Sequence, residues 1–599
     1  MKPAKPTTVH PLKQFERWIR RTRVRWAKAR TCRQLVAAAQ AVNLDVLVAR
    51  CRDLPRPDVI VVSNDASAQG SAQCRDCLAS VAQQLLPVHN TLLVAPKGVN
   101  AAGVPHIECT PATGLLASIK TAINASATGH VALCDAAATL CNDASLWMAA
   151  TITERPRIQA LYADQLEVDR RGSTSLPPEP LQQPDFSWAY LLARYFVDPL
   201  VVYDRQRLEA AVVRLLARGQ PMATVREALY AVALEALADC GLEDVVHIRH
   251  PLSSRVAWTA AENVAANLPR IAAAALAARD VTAQATHHPS DPALHDLHFT
   301  RRRSPRVSII IPTRNAAALV KTCVGSLRAT AGYDNYDITV IDHDSDEPEL
   351  RQFLEAEAAA GGLGVMPYTG PFNYAAMNNA AVRQTSGELI LFLNNDVDAF
   401  SEGWLDQLVA TMEIDDRCAA VGCLLFYPDG DIQHAGVIAN ARRLFFNAHC
   451  GLPHDAAGYQ GRIRSLQEYA AVTAALMLVR RSAFAAVGGF DEVFPNDYND
   501  VDLCLRLRQA GHRILYTPHV RATHWESRTR RSWGTGKDVF VRRWGGYFAR
   551  DPFYTPKLVA DGLSPDADES TWRERKTVAL DRLVQDLRMT ASCEPRRPA

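Results

Sequence analysis

Two hydrophobic periods alternate along the chain. Short runs of consecutive apolar residues bounded by turn residues predict buried strands. Examples are "DVIVV" from Asp58, "NTLLVA" from Asn90, "RVSIII" from Arg306, "DITVI" from Asp337 and "LILFL" from Leu389. Between them, stretches such as "CLASVAQQLL", "AALVKTCVGSLRAT" and "EPELRQFLEAEAAAG" space their apolar residues as helices do. Strands alternating with helices predict parallel sheets with βαβ crossovers. The longest apolar stretch, "YAAVTAALMLV" from Tyr469 to Val479, is too short to span a bilayer and reads as core.

The pattern occurs twice. "ATGHVALCDAAATLCNDASLWMAATI" (127–152) and "TSGELILFLNNDVDAFSEGWLDQLVATM" (385–412) share a glycine, an apolar strand, a polar break and a helix with an early Trp. Gly129 and Gly387 lie 258 positions apart, and the opening strands at Val59 and Val307 lie 248 apart. Near-constant offsets indicate two copies of one α/β unit, and 599 residues exceed what one core accommodates. The expected organisation is a basic helical segment (1–55), a first unit (56–255), a helix and linker (256–304), a second unit (305–550), and a carboxy-terminal helix and tail (551–599).

Composition excludes some classes. With 48% hydrophobic and 22% charged residues the chain is an ordinary globular one, and a net charge of +2 makes no case for nucleic acid. Charge is uneven, however. Residues 1–33 crowd Lys and Arg against a single acid, Glu16, with Phe15, Trp18, Ile19 and Trp26 available for an apolar contact. This segment is a candidate for peripheral attachment to a membrane surface, an attachment that its deletion should abolish in liposome binding. No secretory pattern follows the initial basic residues, so a cytoplasmic location is expected. The 14 cysteines are scattered, and Cys74 and Cys77 form a CxxC with no second pair nearby, so reduced thiols are expected rather than disulfides or zinc.

Chemistry concentrates in the second copy. Polar clusters end successive predicted strands: "IPTRN", "IDHDSD" and "LNNDVD", followed later by "FPNDYNDVDLCLRLRQAGHRILYTP". Ligands of open α/β sheets bind beyond the carboxyl ends of the strands, and three such clusters argue against unrelated turns. The series "VSIIIPTRN…VIDHDSD…NYAAMNNAAVRQTSGELILFLNNDVD…QHAGV…GGFDE…NDVDLCLRLRQAGHRILYTP…ATHWES" resembles the family 2 glycosyltransferases of GT-A fold, most of all bacterial O-antigen and rhamnosyl-type transferases. The resemblance covers about 240 residues. It implies an α/β protein with two GT-A-like, Rossmann-related, mostly parallel-sheet domains in tandem.

The resemblance also implies roles. "NND" occupies the family's DxD position, which makes Asp396 and then Asp398 candidate ligands of Mn²⁺ or Mg²⁺, with His524 completing the site. Hard oxygen ligands suit a cation that neutralises a diphosphate. Asn394 stands where the family often has its first Asp. The nucleotide-sugar donor would be bound by Pro312, Thr313, Arg314, Asp342, Asn378, Asn394, Asn395 and Asp396. For Asn378 and its neighbour Asn379, capping of a helix start is an equal account. Asp500, in the place of the family's "ED" Asp, would be the catalytic base, with Asn499 replacing Glu. Asp491, Asn499, Asp502 and Trp525 would lie on the acceptor side, although Asp502 has a capping or ion-pair role as its alternative. "ESRTRRSWGTGKDVFVRRWGGYF" (526–548) is either a lid over the pyrophosphate or a solvated basic surface.

The first copy reads "CDAAATL" at the matching place, leaving Asp135 alone among alanines. A lone carboxylate cannot hold a divalent ion between phosphates, so this copy is expected to be degenerate and inactive. The implied function is inverting, metal-dependent transfer from a nucleotide sugar to a glycan, lipid-linked glycan or protein-linked acceptor in bacterial surface polysaccharide synthesis. The alternative is a non-catalytic glycan- or nucleotide-sugar-binding scaffold. Nucleotidyltransferase and dehydrogenase readings fail because no glycine-rich phosphate loop follows the strands.

Overall fold

The computed structural model describes residues 53–99, 103–111, 113–168, 179–265, 267–440, 444–525, 536–548 and 551–553. The basic segment up to residue 52 and the expected carboxy-terminal helix fall outside them, as does the first half of the 526–548 stretch.

The first sheet has nine strands: β1 (Asp58–Val62), β2 (Thr91–Ala95), β3 (His106–Glu108), β4 (His130–Asp135), β5 (Ala138–Leu140), β6 (Ala160–Val168), β7 (Glu179–Leu181), β8 (Leu200–Asp204) and β9 (Val245–Val256). Their order is β3-β2-β1-β4-β8-β6-β9-β5, with β7 beside β6. A hairpin follows, β10 (Thr282–His288) with β11 (Asp291–Thr300).

The second sheet comprises β12 (Val307–Thr313), β13 (Tyr336–His343), β14 (Gly364–Tyr368), β15 (Leu389–Leu393), β16 (Val397–Asp398), β17 (Cys418–Phe426), β18 (Ile432–His434), then, past a separate pair β19 (Val437–Asn440) and β20 (Leu444–Asn447), β21 (Gln467–Glu468), β22 (Leu476–Arg480) and β23 (Arg513–His524). Its order is β14-β13-β12-β15-β22-β17-β23-β16. Position for position this repeats the first sheet, and the strand directions agree as well. β1–β4 and β12–β15 are parallel, β4–β8 and β15–β22 antiparallel, β6–β9 and β17–β23 parallel, and β5–β9 and β16–β23 antiparallel.

The fold class is α/β, with parallel strands on one side of each sheet and mixed pairings on the other. The central strands read as unbroken apolar runs because both of their faces are covered. Every residue of β1 and β15 is buried.

The 256–304 stretch differs from the helix and linker expected of it. It holds helices Ala260–Ala265 and Leu268–Ala277 and then the β10–β11 hairpin. Polar residues dominated "HHPSDPALHDLHF", but His295, Leu297 and Phe299 alternate along β11 and are buried, which is the strand period hidden among histidines and acids; Leu294, on the other face, is buried too. Leu294 packs on Gly461, where the backbone has φ +72° and any Cβ would collide with the leucine.

Residues 551–553 also belong to the folded body rather than to a tail. Pro552 O accepts from Asp185 N at 2.8 Å, Asp551 accepts from Ala439 N, and Phe553 is buried. The two units therefore share one joint. Gln182 N donates to Tyr459 Oη at 2.9 Å, Gln460 Nε2 donates to Gln182 O at 2.9 Å, and Arg513 donates to Cys240 O at 2.6 Å.

Candidate active site

The strand order reverses between β12 and β15: β13 and β14 continue outward from β12, and β15 returns on its other side. Open α/β sheets bind ligands at such a switch point. Thr313, Asp342 and Asn394 lie at the carboxyl ends of β12, β13 and β15. Thr313 pairs in register with Asp342, and Asn395 Nδ2 donates to Thr313 Oγ1 at 2.8 Å. Asp342 Oδ1 accepts from Ser345 N, and Ser345 Oγ accepts from Asn315 N, so the two turns brace each other. Pro312 is part-buried at the end of β12, and Arg314 is exposed just past it.

The pairing of β16 with β23 sets Val397 opposite His524, and Trp525 N donates to Asp396 O at 2.9 Å. His524 Nε2 comes to 3.1 Å from Asp396 Oδ1 and 3.3 Å from Asn394 Nδ2. On the other side of the ring, Nδ1 is 2.7 Å from Gln433 Oε1, while Gln433 Nε2 donates to His524 O. An amide oxygen only accepts, so Nδ1 carries a hydrogen, and it is the neutral form of the ring that presents an Nε2 lone pair toward the Asp396 carboxylate. Two acceptors facing each other suit a cation between them. A second-side hydrogen bond that fixes the imidazole is the usual support of a metal-binding histidine. Asn394 adds an oxygen ligand when its amide is turned end for end. These residues fit a divalent ion. Asp398 is not drawn in: among the described residues, Asp396, Asp398 and His524 do not form a trio with ligand atoms within 4.8 Å of one another.

Asp500 lies in the first turn of the helix Asn499–Gln509. It is part-buried, and its Oδ2 accepts from Ala474 N at 3.1 Å while Oδ1 accepts from Val501 N at 2.8 Å. Burial raises its pKa, against the opposing pull of these N–H groups. The neighbouring Ala475 O accepts from Asn394 N. One segment, 473–475, thus ties to both the Asp396 group and Asp500. Tyr374 lies within the field of both carboxylates, and its hydroxyl donates to Ala474 O.

Other expected site residues serve the framework instead. Asp502 is fully buried and pairs with Arg506 at 2.7 Å, Arg543 at 2.6 Å and Trp544 Nε1 at 2.9 Å, so it anchors the helix Lys537–Phe548 instead of facing an acceptor. Asp491 pairs with the same Arg543 at 2.8 Å. Asn499 donates to Asn496 O and Phe494 O, bracing its own loop. Asn378 sits mid-helix, donating to Tyr374 O, while Asn379 holds Phe490. Capping of the helix Tyr374–Gln384 falls to Asn373, not to either. Trp525 is exposed, with its backbone bonded to Asp396.

A cavity of about 610 Å³ lined by Asn379, Phe484, Arg506 and Arg543 does not include Asp396, His524 or Asp500. Gln433 is the residue that sequence reasoning passed over; its one signal was the "QHAGV" that follows β17.

Residues 308–484 match the family model described as glycosyl transferase family 2. The second unit is a glycosyltransferase family 2 domain. The match to this transferase domain ends before Asp500 and His524.

Over 559 residues the chain is 30% identical to the O-antigen biosynthesis protein RfbC of Myxococcus xanthus, covering 89% of this chain and 42% of that one. It is 30% identical to protein y4gI of Sinorhizobium fredii, covering 74% of this chain and 50% of the other. Over 156 residues, 25% of this chain and 49% of the relative, it is 31% identical to an N-acetylglucosaminyl-diphospho-decaprenol L-rhamnosyltransferase of Mycobacterium tuberculosis. The chain thus spans about half the length of these relatives or less. A crystal structure of GalNAc-T7 with UDP, GalNAc and Mn²⁺ overlaps 49% of this chain and 56% of its own, at 15% identity and a TM-score of 0.34, too low to support a residue-level comparison.

The first unit keeps the geometry of the transferase domain without its ligands. Asp135 N bonds to Pro199 O as Asn394 N bonds to Ala475 O, and three residues later Ala138 faces Arg255 as Val397 faces His524. Asp135 therefore matches Asn394, Ala137 matches Asp396, and Arg255 matches His524. Arg255 pairs with Asp198 at 3.1 Å, and the guanidinium groups of Arg226 and Arg255 both stack on Trp258. Burial and the Asp198 carboxylate raise the Asp135 pKa.

Proposed function

We propose that the chain is an inverting, metal-dependent glycosyltransferase that moves a sugar from a nucleotide-sugar donor to a hydroxyl of a glycan or lipid-linked glycan acceptor, in bacterial surface polysaccharide synthesis. The observation that supports it best is the pairing of an oriented cation site with a carboxylate of raised pKa. Asp396 and His524, held by Gln433, and the buried Asp500 are linked through segment 473–475.

Thr313, Asn395 and Asp342 would border the nucleoside at the switch point, and exposed Arg314 stands beside them. When bound to Asp396, His524 and Asn394, Mn²⁺ or Mg²⁺ neutralises the charge that builds up on the departing diphosphate. Asp500 takes the proton of the acceptor hydroxyl as that oxygen bonds to the anomeric carbon and the bond to the diphosphate breaks on the opposite face. One displacement inverts the configuration. The first unit, with arginine in place of the metal-binding histidine, would do no chemistry of its own.

Calorimetric titration with UDP, GDP and dTDP, with and without Mn²⁺, tests this reading. Metal-dependent binding of one nucleotide should be lost in Asp396→Ala. It should persist in Asp500→Asn, whose turnover should fall roughly 100- to 10,000-fold. No binding of any nucleotide would favour the scaffold reading, for which the asparagines at 394 and 499 speak.

A further inference from the structure

A second cluster of ligand groups lies where the β10–β11 hairpin meets the transferase domain. Asp296 and His298 are two residues apart on β11 and so share one face of the strand. His519 reaches them from β23. The β17–β23 ladder pairs Cys423 with Thr517 and then Leu424 with Arg521, which loops residues 518–520 out of register. Ser401 holds that loop, its hydroxyl donating to His519 O and accepting from Arg521 N.

Asp296 Oδ1 is 3.4 Å from His519 Nε2 and 3.6 Å from His298 Nε2. The two imidazole rings are 4.2 Å apart. All three ligand atoms lie within 4.8 Å of one another, and no other trio of His, Cys, Asp or Glu among the described residues achieves this. Donors about 2.0–2.1 Å from a tetrahedral ion lie roughly 3.4 Å apart, so the spacing is that of ligands around one small cation.

The chemistry agrees. Asp296 brings the negative charge. The His298 side chain is 51% exposed, leaving an open side for water as a fourth ligand. Two imidazoles and a carboxylate suit Zn²⁺ better than the hard ions Mg²⁺ and Ca²⁺. Arg521, the cation on the same strand, turns its guanidinium to Pro518 O.

We propose that Asp296, His298 and His519 form a Zn²⁺ site, with water as fourth ligand, that staples the β10–β11 hairpin to β23, five residues before His524. The site is separate from the Asp396 group and would stabilise the strand that carries His524.

Metal-stripped protein without a polyhistidine tag, titrated with Zn²⁺ and then with Co²⁺, tests the proposal. The wild type should take up one equivalent of Zn²⁺ at this site in addition to any held by the Asp396 group, show the visible band of tetrahedral Co²⁺, and melt at a higher temperature when Zn²⁺ is present. Asp396→Ala should keep all three properties. His298→Ala, at an exposed position, and Asp296→Asn should lose them while retaining the wild-type circular dichroism spectrum. Absence of Zn²⁺ uptake in the wild type, equal uptake by His298→Ala, or loss of uptake in Asp396→Ala alone would each overturn it.

Discussion

Gln433 shows how much one neutral side chain contributes at the residue scale. Its amide oxygen holds a hydrogen of His524 on Nδ1, which leaves Nε2, facing Asp396, as the nitrogen free to bind an ion in the neutral ring. Replacing it frees the ring to turn and to change tautomer. Gln433→Ala should weaken Mn²⁺ affinity roughly 10- to 100-fold, measured by metal titration, while Gln433→Glu, which still accepts from Nδ1, should retain most of it. Asp500 is set by the opposite influence, burial, which favours its neutral form. A base acts only when ionised, so activity should fall as pH drops through this raised pKa. The acid limb of kcat/KM should therefore lie above the ordinary carboxylate range. An acid limb at the ordinary aspartate value, or none at all, would count against Asp500 as the base.

At the scale of elements, an acid beside a catalytic one need not be catalytic. Asp500 and Asp502 share the first turn of one helix, yet Asp502 is fully enclosed by Arg506, Arg543 and Trp544. Removing one partner of a buried ion pair strands the others. Asp502→Ala should cost about 3 kcal/mol in thermal or denaturant unfolding, the lower end for buried pairs because both arginines are partly exposed. Nucleotide affinity at low temperature should change little. A residue facing the acceptor would behave the other way round. The β10–β11 hairpin carries a related lesson. Its buried period runs through His295, Leu297 and Phe299, so one of the three inward positions is a histidine, and Leu294, which packs on Gly461, lies on the opposite face; the apolar residues alone did not show a period of two.

At the scale of the whole molecule, two sheets of identical order and strand direction are joined by the hairpin, residues 551–553 and the polar contacts of Gln182, Gln460 and Arg513. The matched hydrogen bonds place Asp135 where the transferase domain has Asn394 and Arg255 where it has His524. A guanidinium already occupies the position that a metal-binding histidine would need. Asp135→Ala should accordingly leave transfer rate and Mn²⁺ dependence unchanged, assayed beside Asp396→Ala. A drop comparable to that of Asp396→Ala would mean the first unit takes part in the chemistry.

The sequence by itself determined the two α/β copies, their offset, and the clusters at the ends of β12, β13 and β15, because buried strands must be apolar and ligand groups must follow them. It also determined Asp396, His524 and Asp500 as candidates, through motifs in a recognisable order. Only the tertiary structure decided which acids lie in the site and which hold helices. That depends on Arg543 and Trp544, 41 and 42 residues from Asp502, a separation no local pattern encodes. The same holds for the coupling of Gln433 to His524 across 91 residues, and for the meeting of His298 with His519. Hydrophobic period and turn chemistry are local properties, whereas the partner of a polar side chain is set by which strands pair and where a ladder slips.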